Sequence, residues 1–141
     1  MGKFYLARVQ GHPPDDRFSC HVPISPESSA LGARLVDWET GLPAETHFSV
    51  LRRDADDTAL LEARPITGRT NQIRIHLSHL GFPICGEATY LSGGVIGDTQ
   101  TLGIGAAPLC LHAWRITCKH PLTGKALEFT APLPEAWGHA R

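Results

Sequence analysis

Alternating hydrophobic and polar residues predict that this chain is built mainly from short strands. In residues 4–10, Tyr5, Ala7 and Val9 fall on one side, the period of two that is typical of a half-buried strand. Strands 45–52 and 58–64 flank a polar turn and should form a hairpin. The other predicted strands are a short one near residues 20–24, within the irregular stretch 17–43, and the pair 109–118 and 125–130, joined by a turn at 120–124.

One segment, residues 70–80, has the spacing of a helix instead. Ile73 and Leu77 lie one turn apart on its apolar face. Thr70 is the predicted N-cap, and Gly81 stands where a C-cap glycine belongs. A glycine-rich stretch, 91–108, is predicted to be a long loop. Several strands around one helix, without repeats or a linker, predict a single α+β domain over residues 1–141 with a mainly antiparallel sheet.

Composition narrows the classes of function. The chain has 141 residues, a formal net charge of −1 and a pI of about 6.7, so it lacks the excess of basic residues that binds nucleic acid by bulk charge. Any nucleic-acid binding would therefore use a local patch or need help from another segment. No apolar run reaches the ~18 residues of a membrane span, and no signal peptide is visible, so we expect a cytoplasmic location.

The segment from Pro65 to His76 carries the clearest chemical signal. A strand ends in Pro-x-Thr-Gly-Arg and the helix begins at once, so free backbone N–H groups at the helix start would face the same place as Arg69. Arg74 follows one turn into the helix. Taken alone, this pattern is equally compatible with a structural strand–turn–helix whose arginines are solvated.

Other chemistries have weaker support in the sequence. Cys110 and His112, with Cys118 and His120, could chelate a metal in pairs. On one continuous strand, however, the two pairs would lie roughly 26 Å apart, at ~3.3 Å per residue, too far for one zinc ion. The sequence contains no G-x-S-x-G motif, so a serine hydrolase is not indicated. The cysteines form no C-x-x-C pair and are expected to be free thiols.

The same segment resembles the signature T-G-R-[ST]-H-Q-[ILV]-R-[VLI]-H of the RluA-type pseudouridine synthases, with eight or nine of its ten positions retained. Five further blocks resemble that family in order and spacing. They are Lys3 to Gly11 (K-x-Y-x-A-x-V-x-G), Gly41 to Thr46 (G-x-x-A-x-T), Gly81 to Tyr90 (G-x-P-I-x-G-D-x-x-Y), Leu111 to Pro121 (L-H-A … H-P) and Phe129 to Pro134 (F-x-A-P-x-P).

This resemblance implies an RNA-modifying isomerase that converts uridine in ribosomal or transfer RNA to pseudouridine, with no metal or organic cofactor. The target nucleotide is flipped out of the RNA. By position, Tyr5 would lie against the uracil, and Arg74 would form an ion pair with the catalytic aspartate. The residues implied to shape the site or touch RNA are Arg69, Thr70, Asn71, Gln72 and His76. His76 lies on the apolar helix face and is interpreted first as a core histidine.

The catalytic aspartate itself is expected outside this chain. In the family it lies some thirty residues before the K-x-Y strand, and this sequence begins at that strand. Asp37, in Arg34-Leu35-Val36-Asp37, resembles the aspartate motif but follows the tyrosine strand and has one residue too many, so we reject it as the nucleophile. We therefore expect a partial, incomplete or inactive synthase domain; the alternative is a non-catalytic RNA-binding module on the same fold.

An expectation about assembly follows. If the family's sheet continues into the missing N-terminal part, the strand with Tyr5 becomes an exposed edge. Such edges pair with other strands, so we expect self-association or pairing with that N-terminal segment.

Overall fold

In the part of the chain that the structure describes, six antiparallel strands form one sheet, and one α-helix packs on one of its faces. The computed structural model describes residues 2–26, 34–94 and 109–131. The strands are β1 (Gly2–Gln10), β2 (Arg17–Cys20), β3 (Thr46–Arg53), β4 (Thr58–Pro65), β5 (Leu111–Lys119) and β6 (Ala126–Thr130), and the helix is α1 (Gln72–Leu80). This architecture confirms the predicted α+β class with a mainly antiparallel sheet.

The strand order is β2-β3-β4-β1-β5-β6, so β1 lies in the middle of the sheet. Tyr5 pairs with Ala63 of β4 on one side and with Ala113 of β5 on the other. The expectation that the Tyr5 strand is an exposed edge is therefore wrong. The sequence shows that β1 and β5 exist, but only the returning path of the chain places β5 against the open side of β1. The edges are β2 and β6.

The main core lies between the sheet and α1. Val9 of β1, Phe48 of β3 and Leu61 of β4 are buried on one face of the sheet, and they pack with Ile73 and Leu77 of α1. The helix therefore rests on three adjacent strands. Leu6 and Leu60 are also buried, in a separate cluster that Trp114 packs against.

The two ends of α1 differ in how well the sequence predicts them. The N-cap is Asn71 and not Thr70: Asn71 adopts a left-handed backbone conformation (φ 58°) and makes no side-chain capping bond. Asparagine tolerates this conformation better than threonine does. Gly81 is the C-cap as predicted, with φ 91°. Its N–H donates to Ser78 and that of Phe82 to Leu77, which is a Schellman motif.

The remaining predictions agree with the structure to different extents. The stretch 17–43 contains β2 and then isolated bridges from Ile24 to Val36 and Leu42. Of the predicted loop 91–108, residues 95–108 lie outside the described residues, and Ser92–Gly94 forms one 3-10 turn. Cys20, Cys85, Cys110 and Cys118 are free, as expected. Within the described ranges, no helix has the length and apolarity to cross a membrane.

Gly41 closes the turn that precedes β3, and it offers a test of this packing. A Cβ atom at Gly41 would lie 2.1 Å from the carbonyl oxygen of Asp37 and 2.9 Å from Cβ of Pro23. Because backbone must move to relieve the first contact, we expect Gly41→Ala to lower the free energy of unfolding by about 1–3 kcal/mol. Urea unfolding followed by circular dichroism measures it. Gly68→Ala is the control, since its Cβ would meet nothing within 4 Å; equal losses in both variants would contradict the prediction.

Candidate active site

A cavity of about 210 Å³ lies between the start of α1 and the face of β1 and β5. Four of the sequence-predicted site residues line it: Tyr5, Asn71, Gln72 and Arg74. The other lining residues come from the end of β4, the segment before α1, the helix and β5: Pro65, Thr67, Gly68, Ile73 and Leu111. The strand–turn–helix segment therefore forms most of one wall, and β1 and β5 contribute the other residues.

Tyr5 reaches the cavity from the central strand of the sheet. On β1 it points to the same face as Ala7 and Val9, because side chains alternate along a strand. Its cross-strand partners on both sides are alanines, Ala63 and Ala113. At the cavity wall, Tyr5 is joined by the apolar side chains of Leu111 from β5 and Ile73 from α1.

Arg74 is held by a buried carboxylate. Its Nε donates to Oε2 of Glu87 at 2.9 Å, and its Nη2 donates to Oε1 at 2.8 Å, a bidentate arrangement. The side chains are 13% and 1% exposed respectively. Little water competes for the pair, so the geometry of the guanidinium is well defined. In the family block G-x-P-I-x-G-D-x-x-Y the corresponding residue is an aspartate, and the glutamate at this position keeps the carboxylate with one more methylene group.

Glu87 is itself fixed by the turn that it begins. Its Oε1 also accepts hydrogen bonds from the backbone N–H groups of Thr89 (3.3 Å) and Tyr90 (3.2 Å). The ring of Tyr90 lies under the guanidinium of Arg74, with 5.0 Å between Cζ and the ring centroid. Cation–π contact and ion pairing thus act on the same arginine. Glu87 and Tyr90 belong to the site even though neither lines the cavity.

Arg74 can hold a second anion although it is already paired with Glu87. A guanidinium has five N–H donors in a fixed fork. Glu87 occupies the edge formed by Nε and Nη2, while Nη1 donates to Oδ1 of Asn71 at 3.3 Å. Among the described residues, these contacts use three of the five donors, which leaves one N–H on each of Nη1 and Nη2. A carboxylate entering the cavity could therefore bind Arg74 through its η nitrogens without displacing Glu87.

Asn71 links this arginine to the buried tyrosine. Its side-chain Nδ2 donates to the hydroxyl of Tyr90 at 3.2 Å, while its Oδ1 accepts from Arg74. Burial raises the pKa of Tyr90, and the bond from Asn71 lowers it by less. The phenol therefore stays protonated at neutral pH. Asparagine, where the family signature has histidine, makes the site's polar contacts without a titrating group.

Gln72 fastens the segment before α1 to the sheet. Its Nε2 donates to the carbonyl of Glu45 at 2.8 Å and to Oγ1 of Thr46 at 2.9 Å. Its Oε1 accepts from Oγ1 of Thr67 and from the backbone N–H of Arg69 (3.1 Å). The residue is 3% exposed. Although it borders the cavity, its amide is fully engaged in structure.

Three other predicted residues lie away from the cavity wall. The Nε of Arg69 donates to the carbonyl of Pro43 at 2.8 Å, and Thr70 is exposed. His76 is 0% exposed, and its Nε2 lies 2.8 Å from the carbonyl oxygen of Val22. A carbonyl only accepts, so Nε2 carries the proton and Nδ1 accepts from Thr46. The burial contradicts the expectation that His76 touches RNA and fits the interpretation as a core histidine.

Asp37 is engaged elsewhere as well. Its carboxylate accepts from the hydroxyl of Thr40 at 2.6 Å and from the backbone N–H groups of Glu39 and Thr40. These bonds, the hydroxyl first, lower the pKa of Asp37. Asp37 stabilises its own turn and does not border the cavity. Its rejection as a nucleophile agrees with this geometry.

The alternative metal ligands are not gathered into one site. Among the residues that the structure describes, Cys110, His112, Cys118 and His120 form no group with metal-ligand spacing.

Comparison with known proteins gives this geometry a context. Residues 1–79 match the family model described as RNA pseudouridylate synthase. The chain is 37% identical over 130 residues to "Dual-specificity RNA pseudouridine synthase RluA" of Escherichia coli K12, covering 92% of this chain and 56% of that protein. It is 38% identical over 132 residues to "Ribosomal large subunit pseudouridine synthase C" of Pasteurella multocida, covering 93% and 40% respectively.

Solved structures agree with the sequence relatives. Human RNA Pseudouridylate Synthase Domain Containing 1 superposes with a TM-score of 0.72 at 27% identity, covering 94% of this chain and 55% of that one. Human RNA Pseudouridylate Synthase Domain Containing 4 gives a TM-score of 0.71 at 26% identity, covering 99% and 60%. The chain thus spans about half the length of the proteins it matches.

Removing one partner of the Arg74–Glu87 pair should destabilise the fold strongly, because the other charge is left buried and unpaired. Glu87→Gln removes the charge that compensates a largely buried guanidinium, so we expect the free energy of unfolding to fall by about 3 kcal/mol. Urea unfolding measures it. The control is Glu62→Gln, whose partner Arg115 is 3.5 Å away in a more exposed pair; its loss should stay under about 1 kcal/mol. A Glu87→Gln loss no larger than the control's would contradict the assignment.

His76 should make stability depend on pH. Burial, as the main cause, lowers the pKa of His76 in the folded chain. Below the unfolded histidine pKa of about 6.5, the unfolded chain binds a proton that the folded chain excludes. The free energy of unfolding should therefore be maintained above that pH and decrease as the pH falls below it, by up to about 1.4 kcal/mol per unit.

Denaturant unfolding between pH 7.5 and 5 tests this dependence. His76→Gln should flatten the slope. His79→Gln, at an exposed position of the same helix, removes only a smaller, coulombic contribution to the low pKa of His76, so most of the slope should remain. An unaltered slope in His76→Gln would show that other groups cause the acid sensitivity.

Proposed function

Because this chain belongs to the RNA pseudouridylate synthase family, we propose that its cavity receives a flipped-out uridine of an RNA and takes part in the isomerisation to pseudouridine. The reaction breaks the N1–C1′ glycosidic bond, turns the uracil, and rejoins it to the ribose through C5. The observation that carries the proposal is the convergence of Tyr5 and Arg74 on one cavity, from β1 and from α1.

The size and lining of the cavity suit a nucleobase. A volume of about 210 Å³ exceeds the ~150 Å³ of a cavity known to hold a benzene ring. Tyr5 provides a face on which uracil can stack, and stacking of a base on an aromatic side chain contributes about 1–3 kcal/mol. Leu111 and Ile73 add apolar surface. The base would thus be held by contacts that still allow it to turn.

Arg74 would supply the electrostatic part of the reaction. The chemistry requires an ionised carboxylate close to C1′, and a neighbouring guanidinium favours the ionised form. Glu87 holds Arg74 in place by accepting hydrogen bonds from its Nε and Nη2 atoms. We assign Glu87 a positioning role through Arg74, not a role in contact with substrate.

We propose that the nucleophilic carboxylate reaches this cavity from outside its described lining. In the part of the chain described, the lining residues include no aspartate or glutamate. In the family pattern the aspartate precedes the strand that corresponds to β1. Tyr5 lies three residues from Gly2, or about 10 Å along an extended strand. A segment preceding β1 could therefore reach Arg74, and that segment is the proposed partner of this domain.

The substrate within this proposal is ribosomal or transfer RNA, and the site of action is the cytoplasm, where both occur. Support comes from the names of the relatives, one of which refers to the large ribosomal subunit. Arg69 and Thr70 lie between Gly68 and Asn71, which both line the cavity, and are proposed contacts to the RNA backbone. The expectation of self-association was based on β1 being an unpaired edge strand. Because β1 is paired on both sides, we do not include self-association in this proposal.

Release of tritium from RNA labelled at uridine C5 tests the proposal, because pseudouridine formation displaces that hydrogen. We expect no release by the 141-residue chain alone, and release once a segment bearing the family's aspartate motif is fused before Gly2. In the fusion, Arg74→Ala should reduce the rate by at least about a hundredfold. Arg52→Ala, which removes a partner of Asp54 at the hairpin, is the matched control.

The outcomes separate the candidate functions. Release by the chain alone would show that it holds its own nucleophile, and Asp37 would be the first residue to mutate. Absence of release from the fusion, together with retained RNA binding, would favour the non-catalytic RNA-binding module. Equal rates for the Arg74 and Arg52 variants would remove Arg74 from the site.

A further inference from the structure

We propose that His21, Glu45 and His47 form a binding site for a divalent transition metal of the zinc type. The three ligand atoms all lie within 4.8 Å of one another. The Oε2 atom of Glu45 is 2.5 Å from Nε2 of His47 and 3.7 Å from Nε2 of His21. Both imidazoles thus direct the same ring nitrogen toward one carboxylate oxygen.

The pairing of β2 with β3 creates this cluster. Ser19 lies opposite His47 and Cys20 opposite Thr46, so His21 follows at the level of Glu45. Residues two apart on extended chain point to the same side. His47 therefore points away from the helix, since Phe48 on the alternate face packs in the core with α1. The cluster lies on the outside of the sheet and does not overlap the cavity.

The donor set fits zinc better than a hard cation. Zinc binds imidazole nitrogen and carboxylate oxygen at about 2.0–2.2 Å, so the ligand atoms of a tetrahedral site lie roughly 3.4 Å apart. The distances of 2.5 and 3.7 Å to Glu45 lie on either side of that value. Small side-chain rotations would complete the site. Magnesium and calcium prefer oxygen ligands throughout, which two histidines do not provide.

Backbone hydrogen bonds hold the central ligand, Glu45, in position. The backbone of Glu45 is fixed: its N–H donates to Oγ1 of Thr67 (3.0 Å), and its carbonyl accepts from Ile66 (2.9 Å) and Gln72 (2.8 Å). The nearest cross-strand arginine, Arg64, turns its guanidinium toward Phe4, with 5.4 Å to the ring centroid.

The site has open positions and a structural consequence. The side chains of His21, Glu45 and His47 are 63%, 36% and 52% exposed, so an ion can enter from solvent and complete its coordination with water. A bound ion would join the end of β2, an edge strand of four residues, to the start of β3. We therefore infer that the bound ion stabilises this edge of the sheet. It is independent of the proposed chemistry, which requires no metal.

Isothermal titration of the 141-residue chain with zinc chloride tests the proposal. We expect one ion per chain, and at least about tenfold weaker binding in each of His21→Gln, Glu45→Gln and His47→Gln. His79→Gln, at an exposed position outside the cluster, should bind as the unaltered chain does. The thermal midpoint of the unaltered chain should rise with zinc, and that of His47→Gln should not.

Binding of cobalt(II) in place of zinc tests whether the free cysteines are the ligands. Cobalt(II) bound by nitrogen and oxygen lacks the intense thiolate-to-metal charge-transfer band that a cysteine ligand gives. Absence of that band, with loss of cobalt binding in His47→Gln, supports the site. The proposal is overturned by a thiolate band, by unchanged affinity in the three cluster variants, or by the failure of the unaltered chain to bind zinc.

Discussion

The hydrogen bonds made by the buried amide of Gln72 are the interactions on which the rest of the structure most depends. It donates to the carbonyl of Glu45 and to Thr46, and it accepts from Thr67 and from the backbone of Arg69. One side chain thus joins the start of α1, the segment before it and the entry to β3. An unpaired buried amide would cost free energy, so these contacts must form together. They extend inward through Thr46 to His76 and the carbonyl of Val22, which orders the polar interior from the cavity wall to the core.

The position of Arg74 follows from that anchoring. With the first turn of α1 fixed, Arg74 meets Glu87 on one side, the Tyr90 ring beneath it and Asn71 beside it. A guanidinium in such a setting loses little further entropy when it binds another anion. The domain therefore holds the guanidinium of Arg74 in a fixed orientation at a cavity whose other wall carries Tyr5. The same fixed segment also orients the backbone of Glu45. The cavity and the proposed metal site of His21, Glu45 and His47 therefore both depend on Gln72, although no residue belongs to both.

How well each feature could be predicted depended on the range of the interactions behind it. Strand periods, the Gly81 cap and the core face of α1 are local, because each follows from the conformational preference of a few neighbouring residues. The start of α1 was misassigned to Thr70, since a left-handed Asn71 has no periodic signature. Tyr5 and Arg74 were selected through the order of family blocks, and the structure brings both to one cavity. Glu87 as the partner of Arg74, and the gathering of His21 with Glu45 and His47, required contacts across the fold.

By itself the sequence determined the fold class, the family and the segment that forms most of one cavity wall, because these are encoded in residue order and local spacing. Only the tertiary structure decided that β1 is central, that His76 is sealed in the core, and that Arg74 already has a carboxylate partner. The physical reason is the same in each case. Strand neighbours and ion pairs join residues far apart along the chain, and their choice depends on the path of the chain between them.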